Sequence, residues 1–143
     1  MTISFNKADA TATLTNRVAL KSFIEKRVKK EGLAIESLNY VFCSDKYLLQ
    51  INKQFLNHNY YTDIISFDLS EEPGKLIGEV YISIDRVKDN AKTHGASNKE
   101  ELLRVIFHGA LHFCGYKDKK PADAKKMRQM EDTWLTAYLS RDK

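Results

Sequence analysis

The chain has 143 residues, 43% of them apolar and 29% charged, with 23 basic against 19 acidic side chains and a formal charge of +4. That length suits one domain over 1–143, with a core large enough to fold without a disulfide or a metal. Six glycines and two prolines exclude collagen-like and linker-like chains, no run is apolar for long enough to span a membrane, and a pI near 9.0 leans toward polyanions without identifying one.

The first twenty residues lack a basic stretch followed by an apolar block, so no secretory leader is expected. Cys43 and Cys114 are then expected as reduced thiols of a cytoplasmic protein. Residues 2–5 read as a short strand. A helix is expected from Leu14 to Lys30, where Leu20, Phe23, Ile24 and Val28 share a face, and Glu31-Gly32 ends it. Alternation of Leu38, Tyr40 and Phe42 marks a strand over 36–43. Ser44-Asp45 caps a second helix carrying Leu48, Ile51 and Phe55.

Asp63–Leu69 is rich in strand formers, and Glu71-Glu72-Pro73-Gly74 is a turn. Ile77–Ile84 then sets Val80, Ile82 and Ile84 against Glu79, Tyr81 and Ser83, which predicts a hairpin with the preceding strand. A short helix follows over Asp85–Thr93, with His94 as a C-terminal cap before Gly95. Ser97-Asn98-Lys99-Glu100 has capping-box spacing and opens a helix through Cys114, with Leu102, Leu103, Ile106, Phe107, Ala110 and Leu111 on its apolar side. Gly115 sits where a left-handed cap is needed. The last helix, Pro121–Leu139, carries Met127, Met130, Trp134 and Tyr138 as a core stripe. The expected fold is α+β: a small four-stranded mixed sheet packed with about five helices, with a metal site on one helix and the turn after it.

That site rests on His108 and His112, four residues apart on one helix face, so both imidazoles reach one ion. Gly115 allows a sharp return of the chain, and Asp118 approaches the same ion from the turn. Two His and one carboxylate form a three-ligand set for a catalytic zinc or another first-row metal, with a position left open. Zinc peptidases with similar spacing place Glu directly after the first His as general base; Gly109 stands there and takes no proton, which disfavours peptidase chemistry. Lys117, Lys119 and Lys120 begin a basic cluster that suits a phosphodiester substrate, and suits a solvated face equally well. Cys114 reads as a small buried thiol rather than a ligand.

Three segments in order resemble the YbeY family of bacterial endoribonucleases: Thr62-Asp63-Ile64-Ile65-Ser66-Phe67, Gly78-Glu79-Val80-Tyr81-Ile82-Ser83 and the stretch from His108 to Tyr116. The resemblance implies one divalent metal, usually zinc, held by three side chains. It implies hydrolytic cleavage of single-stranded RNA, maturation of the 3′ end of small-subunit ribosomal RNA, and ribosome quality control. The implied partners are ribosomal RNA or the small ribosomal subunit, with ribosomal proteins as further candidates and no membrane. Asp118 stands where the family usually has a third His, which adds negative charge and favours harder ions. Leu56 stands where the family carries an Arg associated with RNA work, with Lys53 and His58 as nearby substitutes, and Tyr61 replaces the usual Pro before Thr62.

No general base is evident; Asp63 and Glu79 are the candidate catalytic residues, each with an ordinary structural reading beside it, a turn cap for Asp63 and a solvent-facing strand residue for Glu79. The first functional expectation is a metal-dependent endoribonuclease. The competing readings are a non-catalytic ribosome-associated RNA-binding factor with a structural metal, and a metal hydrolase of another substrate class.

Overall fold

Thr2–Lys7 (β1) and Ala34–Cys43 (β2) lie side by side and parallel, joined by helix α1, Arg17–Lys30. The chain continues through α2 (Asp45–Leu56), β3 (Ile64–Asp68), β4 (Lys75–Ser83), α3 (Ile84–His94), α4 (Asn98–Phe113) and α5 (Pro121–Leu139). This computed structural model describes residues 2–141. The sheet has the order β1-β2-β4-β3, with β2 parallel to β4 and β3 antiparallel to it, so it is mixed as expected.

One face of the sheet makes the main core. Ile3, Phe5, Leu38, Tyr40, Phe42, Val80 and Ile82 are buried there against Leu20 and Ile24 of α1, Ile106, Phe107 and Leu111 of α4, and Trp134 of α5. Burial of large apolar side chains is the dominant favourable term in folding. Tyr40 carries a hydroxyl into this core and satisfies it by donating to the Ile106 carbonyl at 3.1 Å. The other face holds a smaller cluster of Cys43, Leu48 and Ile65 under α2.

Most expected boundaries shift by a few residues for local reasons. The first helix begins at Arg17 rather than Leu14, because Asn16 takes a left-handed conformation and its side chain accepts from Ala19 N–H at 3.3 Å. The strand expected over Ile77–Ile84 runs from Lys75 to Ser83; Ser83 caps α3 by accepting from Arg86 N–H at 3.2 Å, and Ile84 opens that helix. Ser97 caps α4 through Glu100 N–H at 3.1 Å, and Gly115 adopts φ 103° just beyond it.

Two contacts matter for the site. Asn52 of α2 is 1% exposed; its side chain donates to the Tyr60 carbonyl at 2.9 Å, and its own carbonyl accepts from His58 N–H at 3.1 Å. These bonds tie the segment between α2 and β3 back onto the helix. Gly109 lies where α4 meets the sheet: a Cβ there would sit 3.2 Å from both Ile64 Cδ1 and Val80 Cγ1. Among the described residues no helix is long and apolar enough to cross a membrane.

Candidate metal centre

His108 and His112 project from the last two turns of α4. His108 is fixed from behind by α5: its Nδ1 lies 2.7 Å from Glu131 Oε2. Glu131 is itself 6% exposed, and Arg104 Nη1 donates to its other oxygen at 3.0 Å while Arg104 Nη2 donates to Asp132 at 2.7 Å. A buried carboxylate with both oxygens engaged accepts from Nδ1–H and fixes the ring so that Nε2 is turned outward. Nε2 faces Asp118, whose Oδ2 lies 3.3 Å away. The chain reaches Asp118 through the left-handed turn at Gly115, as the spacing predicts.

His108, His112 and Asp118 form one side of a cavity of about 300 Å³, and Thr62, Asp63, Ile64 and Ser66 form the other. The three expected ligands and the candidate base Asp63 therefore share one cleft. Burial pulls the His108 imidazole down, but the Glu131 bond and the charges of Glu131, Asp118 and Asp63 outweigh it, so its pKa lies above the ordinary value. Burial raises the Asp63 carboxyl, with Glu101 and Glu131 adding to the rise; the charge of His108 and a backbone bond offset only part of it.

Among the described residues no group of three or more His, Cys, Asp or Glu side chains stands as a ready-made metal cage. His108 and Asp118 meet each other directly, while His112 is exposed at the rim of the cleft. The chemistry of the donors nevertheless suits a divalent ion. It comprises an imidazole backed by a buried carboxylate, a second imidazole one turn on, and the Asp118 carboxylate.

The other expected residues lie elsewhere. Glu79 is on the sheet face turned away from α4, since Val80 beside it packs inward; it lines a separate cavity with Tyr47, Phe55 and Phe67 and accepts from the Tyr81 hydroxyl. Lys117, Lys119 and Lys120 are exposed on the α4–α5 connection and do not line the cleft. Cys114 and Cys43 are free thiols, each pushed up to about 12 chiefly by burial. Leu56 ends α2, His58 pairs with the Tyr60 hydroxyl at 3.0 Å, and Tyr61 lies under the Arg86 guanidinium. His94 ends α3 as expected and also meets Glu101 at 3.4 Å.

Glu131 and Arg104 are the residues that sequence reasoning passed over. A signal existed: Glu131 falls within the buried stripe Met127, Trp134, Tyr138 of α5, and a carboxylate at a core position demands a partner.

The family model described as Endoribonuclease YbeY matches residues 2–139. A relative of that name from Cytophaga hutchinsonii is 50% identical over 135 residues, covering 94% of each chain. Another from Flavobacterium johnsoniae is 44% identical over 136 residues, covering 95% of this chain and 96% of its own. Among solved structures, the solution structure of a Thermotoga maritima protein matches with a TM-score of 0.65 and 26% identity, over 98% of this chain and 91% of that one.

Proposed function

This chain belongs to the Endoribonuclease YbeY family, and from that premise we propose that it is a metal-dependent endoribonuclease that processes ribosomal RNA at the cleft between α4 and β3. Family membership makes it an RNA-hydrolysing enzyme. The observation that carries the metal reading is the Glu131–His108–Asp118 chain of contacts at 2.7 and 3.3 Å, which presents Nε2 and a carboxylate oxygen to the cleft.

His108, His112 and Asp118 are the residues that would hold the ion, with zinc the expected metal. A bound divalent cation supplies Lewis-acid polarisation of the phosphoryl group under attack. Glu131 accepts from His108 Nδ1 and holds the ring with Nε2 toward the cleft. Asp63, half-buried in the same cleft with a raised pKa, is the group that takes a proton from the attacking water on its carboxylate in this reading. The substrate is RNA of the small ribosomal subunit, positioned by main-chain groups along the cleft. The protein acts in the cytoplasm, where that RNA is made.

The test joins elemental analysis to RNA cleavage assays on the wild type, His108→Ala and Asp118→Ala. Both variants should lose metal and cleavage while circular dichroism stays unchanged. Metal-free wild type that cleaves RNA at the full rate would overturn the metal reading.

A further inference from the structure

β3 is an edge strand; its one partner in the sheet is β4. Ser83 N–H donates to the Asp63 carbonyl at 2.9 Å, and Leu69 N–H donates to the Ile77 carbonyl at 2.8 Å. In an antiparallel ladder, residues alternate between those whose N–H and C=O both meet the partner strand and those whose groups both turn away. Asp63, Ile65, Phe67 and Leu69 therefore face β4. Ile64 and Ser66 turn their peptide groups to the open edge.

That edge is the wall of the cleft opposite His108, His112 and Asp118. The contact of Ile64 with the α4 surface at Gly109 fixes how near the two walls stand. The edge is also unequal in polarity. The Thr62 hydroxyl donates to the Ile64 carbonyl at 3.4 Å and takes up one of that oxygen's two acceptor sites, while the N–H groups of Ile64 and Ser66 are both turned to the cleft. A peptide adding itself as a further strand needs donors and acceptors in equal number. A polyanionic strand, whose phosphate oxygens only accept, draws on the N–H donors alone.

We propose that the β3 edge seats the RNA strand beside the bond to be cut, with the main-chain N–H groups of Ile64 and Ser66 donating to phosphate oxygens that flank it. Ile64 and Ser66 are positioning residues: they act on where the strand lies, not on the reacting atoms. The role rests on the endoribonuclease reading above and names the part of the fold that grips the substrate there. No side-chain chemistry at these positions marks it in the sequence, because the donors belong to the backbone.

Proline substitution removes an N–H, and at an edge position turned outward it costs the ladder no bond. Ser66→Pro should raise KM for a single-stranded RNA about tenfold, the loss expected for one hydrogen bond to a charged group, with kcat within about twofold of wild type. Asp68→Pro removes an outward N–H of the same edge beyond the cleft and should leave KM at the wild-type value. If Ser66→Pro cleaves with an unchanged KM, the proposal fails while the endoribonuclease reading stands; a wild type that cleaves no RNA would instead sink that reading. Should Ser66→Pro fail to fold, amide NMR of the wild type decides. Titration with a 2′-O-methyl oligonucleotide should shift the Ile64 and Ser66 amide signals downfield. Silent β3 amides, or amides that respond to an extended peptide and not to the oligonucleotide, would overturn the proposal.

Discussion

Glu131 Oε2 stands 2.7 Å from His108 Nδ1, so a side chain of α5 sets the orientation of an imidazole that α4 turns into the cleft. Removing the carboxylate leaves His108 without its partner and Arg104 with Asp132 alone. Glu131→Ala should cost about 2–3 kcal/mol of stability in chemical denaturation. Glu131→Gln keeps the shape and weakens the hold on the imidazole. It should lower metal affinity about 10–100-fold, measured by titration of the metal-free protein.

Asp63 has a folded pKa above its ordinary value of 3.8. For a carboxyl shifted in that direction the folded state holds its proton more tightly, so stability falls as pH rises from the unfolded value through the folded one. At neutral pH the ionised Asp63 is a net cost. Asp63→Asn should therefore raise the thermal midpoint at about pH 7 while slowing RNA cleavage about 10²–10⁴-fold, the range expected for losing a general base. A variant that gains stability and keeps full activity would remove Asp63 from the chemistry.

Asp45 behaves in the opposite sense. Burial works to raise its carboxyl, but hydrogen bonds from Arg86 and Ser83 and the charge of Arg86 prevail, and its pKa lies below 3.8. Its contribution is complete above the unfolded value near 3.8 and is lost as pH falls through the lower folded value. Asp45→Asn should flatten the acid limb of the stability-against-pH curve. An unchanged limb would mean that the Arg86 pair contributes nothing.

Gly109 occupies the position of a peptidase general base, and the packing shows why no base can be restored there. A Cβ at 3.2 Å from Ile64 and Val80 already crowds the helix–sheet seam. Gly109→Ala should be destabilising by about 1 kcal/mol, despite the similar gain in helix propensity. Gly109→Glu would drive a carboxylate into apolar side chains, cost more than about 4 kcal/mol and yield no peptidase. Thermal unfolding and a peptide-cleavage assay check both.

The sheet, the hairpin and α5 were legible in the sequence because alternation and helical spacing report burial directly. Starts and stops were less so: apolar spacing alone carries the first helix back to Leu14, whereas Asn16, a favoured N-cap residue in a left-handed conformation, starts it at Arg17. That His108, His112 and Asp118 line one cleft follows from one helical turn and one glycine bend; a metal held between them remains the proposal made above. Glu79 was open between two readings, and strand register decides it by sending the side chain to the far face. Glu131 and the β3 edge stayed hidden. One lies 23 residues from its partner His108, and the other acts through peptide groups that every residue but proline carries.

The moorings on either side of the segment that leads into β3 limit how a polymer enters. The Tyr60 carbonyl is fastened to Asn52 and the Asp63 carbonyl to Ser83. Only the backbone of Tyr61, Thr62 and Asp63 runs between those two carbonyls, a reach of about 10 Å even when fully stretched. A tether that short cannot swing aside as a flap. The wall of the cleft at Thr62 and Asp63 is therefore held in place before any strand lies against it.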